Sequence, residues 1–182
     1  MKQILIYLGD QQEKQAGLQL ALEPFSIPVT FLNDQALLQT IKSLLNHEPA
    51  TADTDEHFAI DFMFFDEVSD DEIKAINKAM EQQGIRMPRK AVRTIHNEAW
   101  LLKDLLKEIQ EEHEYFQILE TIHQQLQASA SLVIEEYTPA SWQVYEQAFF
   151  EAYALLQKQA TKEEASHALS NLLSAKEHLI KR

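Results

Sequence analysis

Apolar residues in the first half of the chain fall into short runs separated by polar, turn-forming stretches. The runs at 4–8 (ILIYL), 27–32 (IPVTFL), 57–66 (HFAIDFMFFD, with FMFF at its centre) and 89–95 (RKAVRTI) have strand length and composition. Between them the period changes to helical. Asp10-x-x-Glu13 starts one helix, and Asn33-Asp34 caps a second that carries Leu37, Leu38, Ile41, Leu44 and Leu45. Ser69-x-x-Glu72 boxes a third, which runs through Ile73, Ile76, Ala79 and Met80 and stops at Gly84. Residues 46–57 (NHEPATADTDEH) show no period and are expected to be a mobile surface loop. Strands alternating with helices predict parallel crossovers, and the expected strand order is 2-1-3-4.

Beyond residue 89 the only glycine or proline is Pro139. An apolar stripe of Leu101, Leu105, Ile109, Phe116, Leu119, Leu126 and Val133 predicts one helix from about 98 to 134, or two with a bend near Glu114. Unbroken, such a helix spans roughly 55 Å. Thr138-Pro139 opens the next helix, with Trp142, Tyr145, Phe149, Ala152 and Leu156 at helical steps. Thr161-x-x-Glu164 boxes the last, with Ala165, Ala168, Leu172, Ala175 and Leu179 on one face. The expected fold is α/β over 1–114, a small three-layer sheet of four mainly parallel strands with flanking helices. An all-α three-helix bundle over 115–182 follows it.

Composition narrows the function classes. The formal net charge is -13, which excludes a basic nucleic-acid footprint. There is no cysteine, so thiolate metal sites, disulfides and cysteine catalysis are ruled out. The apolar run near the amino terminus is too short for a secretory signal, and no run approaches a membrane span, so a cytoplasmic location is expected. The seven histidines show no H-E-x-x-H or other ligand spacing, and no glycine-rich phosphate loop or G-x-S-x-G is found. Neither a metal, a cofactor nor a catalytic residue is therefore assigned.

Two stretches carry resemblances. Lys90-Ala91-Val92-Arg93-Thr94, then Asn97, Trp100 and Glu108 through Glu112-His113, resemble the K-A-V-x-T, N-x-x-W and E-x-x-x-E-H marks of a bacterial α/β domain family of unknown function. The likeness is specific over 89–113 and looser over the sixty residues before it, and it implies a fold without an activity. Residues 137–182, from Y-T-P-A-S-W to the A-T-K-E-E turn and its Ala/Leu stripe, resemble the helical modules called "found in various architectures". Such modules are mostly seen on secreted surface proteins, and the resemblance here supports the helical bundle.

The segment MPRKAVRTIHNEAW (87–100) concentrates Arg89, Lys90 and Arg93 in an acidic protein. One account is an edge strand whose charges deter pairing with another chain, with Arg93 neutralised by an acid such as Asp61. Another is an anion site at the carboxyl end of the fourth strand, where Arg93, Thr94, His96 and Asn97 surround a helix start. Parallel topology also brings Asp10 and Asp66 to one rim as an acidic pocket. With Thr94 they resemble the layout of response-regulator receivers, although Gly9-Asp10 replaces an acidic pair and a fifth strand followed by lysine is missing. The Trp142, Tyr145, Phe149 and Tyr153 stripe reads as bundle core. The leading expectation is a non-enzymatic module for protein interaction or small-ligand sensing. It acts through a protein partner or self-association of its helical region, without nucleic acid or membrane. The alternatives are an anion-binding protein or enzyme around Thr94, His96 and Asn97, or a degenerate receiver-like phosphoacceptor.

Overall fold

The computed structural model describes residues 1–182 and divides into two compact units, Met1–Glu111 and Glu112–Arg182. The first holds strands β1 (Gln3–Tyr7), β2 (Val29–Leu32), β3 (Phe62–Asp66) and β4 (Lys90–Val92), in the order β2-β1-β3-β4. Helices α1 (Gln15–Leu22) and α3 (Asp70–Gln82) cover one face, where Ile4, Ile6, Met63 and Phe65 meet Leu18, Ile76 and Met80. The other face places Leu5, Tyr7, Phe62 and Phe64 against α2 (Ile41–Leu45) and the start of α4 (Leu102–Ala128). All five residues of β3 are buried, as expected of a strand covered on both faces.

The sheet is mixed. β1 pairs with β2 and β3 with β4 in parallel, but β1 and β3 are antiparallel, with Gln3 opposite Asp66 and Tyr7 opposite Phe62. The cause lies in the connection from β2 to β3. The helix expected from Asn33 is split in two, because Asn33 caps only a 3-10 turn (Asp34–Ala36) and Thr40 caps a five-residue α2. Residues 46–61 then form an irregular connection without a second helix, and the chain enters β3 at the end where β1 finishes. A parallel return is usually made by a longer helical crossover. Gly9 seals this junction. Its φ is +49°, and a Cβ there falls 2.6 Å from the Ile60 carbonyl oxygen.

The capping box at Ser69 forms as read, with Ser69 Oγ accepting from Glu72 N–H while the Glu72 carboxylate accepts from Ser69 N–H. Lys2 also binds this carboxylate, and with Ser69 it lowers the acid to about 2. The long helix starts later than expected. Asn97–Ala99 is a 3-10 turn, Trp100 is extended, and α4 ends at Ala128.

The second unit is helical. α5 (Pro139–Leu156) and α6 (Lys162–Glu177) contribute Tyr145, Ala148, Ala152, Leu155, Ala165, Leu172 and Ala175 to one core, which Ile122 of α4 joins. Small alanines at these positions allow close helix approach. Thr161 forms its capping box with Glu164, whereas Thr138 begins α5 without a side-chain cap bond and relies on Pro139. Tyr153 is 52% exposed and so lies outside the core expected for it. No helix is long and apolar enough to cross a membrane.

Candidate functional site

The basic run 89–93 has a clear structural use. In the parallel register of β3 and β4, Met63 lies opposite Lys90 and Phe65 opposite Val92, which sets basic side chains beside both ends of β3. Asp61, just before the strand, and Asp66, its last residue, are each 2% exposed. Asp61 receives Arg89 at 3.1 Å and Lys14 at 2.5 Å. Asp66 receives Arg93 at 3.2 Å, and the same guanidinium holds Glu98 at 2.6 Å. The expected Arg93–Asp61 pair is thus replaced by Arg93–Asp66. A buried carboxylate without a partner costs several kcal/mol, so these bases are required where they stand. β4 is also an edge strand, as its charge suggested.

Thr94, His96 and Asn97 do not converge on an open anion cradle. Asn97 Oδ1 accepts from Thr94 N–H at 2.9 Å, Thr94 Oγ1 accepts from Asn97 N–H at 3.1 Å, and Asn97 Nδ2 donates to the Val92 carbonyl at 2.9 Å. The donors that would grip an anion are satisfied within the turn. His96 is exposed and makes no capping bond, and α4 begins only at Leu102, so its N-terminal groups are not those of Asn97.

The acidic pocket is overturned by the antiparallel β1–β3 pair. Asp66 sits opposite Gln3 at the start of β1, whereas Asp10 follows the end of β1, so the two acids occupy opposite ends of the sheet. The receiver-like arrangement falls with it. Asp10 joins a different group. His57 Nε2 is 2.8 Å from Asp10 Oδ1 and its Nδ1 is 3.0 Å from Asp34 Oδ2, while Tyr7 Oη donates to Asp34 at 2.5 Å. The hydrogen bonds from His57 to Asp34 and then to Asp10 raise its pKa above the ordinary 6.5. Burial and then the bond to Asp34 push the Tyr7 phenol up. Burial also opposes ionisation of Asp34, but the hydrogen bonds from Tyr7 and His57 outweigh it and hold that carboxyl below its usual range. With both ring nitrogens engaged, His57 ties the 46–61 segment to Asp10 after β1 and Asp34 after β2. Tyr7 ends β1 and Asp34 follows β2, which the parallel register of the two strands brings together. His57 comes from an aperiodic loop with no spacing to announce it.

The helical unit carries the more accessible apolar surface. An open groove of about 330 Å³ is lined by Leu126, Leu132, Trp142, Tyr145, Phe149 and Phe150. Its aromatic rings run in series along α5. Trp142 and Tyr145 lie 5.6 Å apart, Tyr145 and Phe149 6.5 Å, and Phe149 meets Phe150 edge-on at 5.6 Å. Phe150 remains 59% exposed, and the Trp142 indole N–H is buried without a protein acceptor.

Comparison with known proteins places part of the chain. The model of a family described as a domain of unknown function (DUF3783) matches residues 61–116. That match covers less than a third of the chain and includes β3, α3, β4 and the first half of α4. No curated protein and no solved structure matches. The similarity supports a family of unassigned function for this region, and brings no activity with it.

Proposed function

We propose that the protein is an interaction module whose helical unit receives an amphipathic, basic helix of a partner protein in the groove beside α5. The observation that carries this reading is Phe150, an exposed aromatic on a groove lined by Trp142, Tyr145 and Phe149. Large rigid aromatics beside a partly open groove are the usual anchors of binding energy. The helix-in-groove mode needs such a trough.

Charge selects the partner. Residues 112–182 hold ten acids against five lysines and arginines, and Glu146 stands on the groove wall. A second copy of a chain with net charge -13 would bring acid to acid, whereas a basic helix brings complementary charge. In the first unit, Arg93, Thr94, Asn97, Asp10 and Asp66 are engaged in ion pairs and turn hydrogen bonds, which supports a structural role for them.

The test is fluorescence anisotropy of labelled helical peptides added to the full chain. A leucine/lysine peptide should bind saturably, more weakly at high salt, and at least tenfold better than a leucine/glutamate peptide. Equal binding of the two, or none of either, would defeat the proposal. A dimer by light scattering that Phe150→Glu dissolves would instead assign the groove to self-association.

A further inference from the structure

The two edges of the sheet are built differently. At β4, Lys90 and Arg93 stand in or beside the strand, and the Val92 carbonyl is taken by Asn97 Nδ2 at 2.9 Å. Charges and covered acceptors are the usual means of stopping an edge from pairing. β2, the opposite edge, has neither. It reads Val29-Thr30-Phe31-Leu32, with no charge, proline or bulge, and all four residues are partly exposed.

The register identifies the open backbone groups. Ile4 N–H donates to the Pro28 carbonyl at 2.9 Å, and Ile4 pairs with Val29 in parallel. A strand bonds a parallel neighbour through alternate residues, so Pro28, Thr30 and Leu32 face β1. The N–H and C=O groups of Val29 and Phe31 therefore point away from it, and no turn or loop of the protein bonds to them. Donors and acceptors at every second residue match the spacing of a further strand.

An open cavity of about 320 Å³ lies against this edge, and its accessible lining includes Thr30, Phe31, Gln35, Gln39, His47 and Glu48. Glu48 accepts from Ser43 Oγ at 2.8 Å and from Asn46 Nδ2 at 3.3 Å. It forms no ion pair, and no lysine or arginine lines the cavity.

We infer that β2 is a docking edge for an extended segment of a partner protein, which adds a strand to the sheet and carries a lysine or arginine to Glu48. The segment's backbone supplies partners for Val29 and Phe31, and its alternate side chains rest in the cavity. Strand addition draws affinity from main-chain bonds and specificity from the side chains of one face. A helix cannot make these bonds, because its own backbone groups are paired internally. A second copy joined β2 to β2 would set acid against acid across a self-complementary contact, in a chain of net charge -13. The edge belongs to the first unit and takes a strand, so it stands or falls apart from the helical groove.

Amide hydrogen exchange of the full chain, read by NMR with and without an acetylated peptide alternating valine and lysine, tests the inference. Thr30 and Leu32 should be protected in the free protein, with Val29 and Phe31 exchanging fast. The peptide should bind saturably and slow exchange at Val29 and Phe31 at least tenfold. Methylating alternate peptide nitrogens should weaken binding at least tenfold in one register and spare it in the other. A valine/glutamate peptide should bind at least tenfold more weakly, a preference that Glu48→Gln, an exposed change, removes. Phe150→Glu should leave binding as it is. The inference is overturned by no saturable binding, by binding that leaves Val29 and Phe31 unprotected, or by equal affinity of the two methylated peptides. A lysine preference that survives Glu48→Gln, or binding lost in Phe150→Glu, also overturns it. Protection of both amides that rises with protein concentration, without peptide, would assign the edge to a second copy instead.

Discussion

The Arg93 guanidinium lies 3.2 Å from the Asp66 carboxylate, joining the last residue of β3 to the residue after β4. Asp66 is nearly inaccessible, and Gln3 Nε2 also donates to it at 3.4 Å from the neighbouring strand. Together with Gln3 the pair links β1, β3 and β4 and fixes the edge strand, which has only three residues of its own.

Removing the cation leaves Asp66 buried with one weak neutral donor. Loss of one partner of a fully buried pair costs about 3–5 kcal/mol. The Arg93 side chain is 36% exposed. Solvent therefore screens part of the loss, and about 2–3 kcal/mol is expected for Arg93→Ala. Urea denaturation followed at Trp100 checks this in a Trp142→Phe background. A double variant, Arg93→Met with Asp66→Asn, should recover part of the loss. A loss under about 0.5 kcal/mol would mean that the pair is only a surface contact.

Gly9 should tolerate no side chain. Its left-handed backbone and the 2.6 Å approach to the Ile60 carbonyl leave a methyl group nowhere to go except by displacing the strand entry. Gly9→Ala is expected to lose about 2 kcal/mol or more. Gly84→Ala at φ +68°, with open space around it, pays only the backbone term of about 1 kcal/mol. Thermal melts of the two variants should rank in that order.

His57 should act as a pH-sensitive tie. Its folded pKa is raised above 6.5 by Asp34 and Asp10. The stabilisation is therefore complete below about pH 6.5 and lost as pH rises through the folded value. The Asp34 carboxyl contributes in the opposite sense. Its depressed pKa makes its stabilisation available above the ordinary carboxyl value and lost as pH falls through the folded one. NMR titration of the His57 ring should give a midpoint above 6.5, moved downward by Asp34→Asn. A midpoint at the ordinary value, unmoved by that change, would remove the tie.

Capping offers a smaller check in the same unit. Ser69→Ala removes the acceptor for the Glu72 N–H at the start of α3. The expected cost is about 1 kcal/mol, measured by urea denaturation. No measurable change would show that the box contributes nothing beyond the solvated helix end.

Much of the first unit was written in local pattern. The apolar runs, the capping box at Ser69 and the order of the strands follow from side-chain period and cap chemistry, which act over a few residues, whereas the helix start expected at Asp10-x-x-Glu13 is a 3-10 turn (Gln12–Lys14) that leads into α1 without a side-chain cap. The direction of β3 does not. It depends on how residues 33–61 return to the sheet, and a helix broken at Thr40 followed by an irregular connection has no periodic signature. That one reversal separated Asp10 from Asp66 and removed the acidic pocket. The charges of Arg89 and Arg93 were visible, but their meaning required the register with β3, a long-range fact. His57 was hidden for the same reason, since its partners are 23 and 47 residues away in sequence. In the helical unit, the stripe of aromatics was plain. Which of them would stay exposed was not, because period identifies a face without giving its width: Tyr145 is buried while Phe150 and Tyr153 stand out.

The most direct measurement follows the emission of Trp142, the only tryptophan left in Trp100→Phe protein, as the leucine/lysine helix is added. Occupancy of the groove predicts a saturable change in intensity or wavelength, attenuated by salt and abolished by Phe150→Glu with the fold intact by circular dichroism. Emission that does not respond while the peptide binds, or a response that Phe150→Glu leaves unchanged, would place the interaction elsewhere and contradict the account.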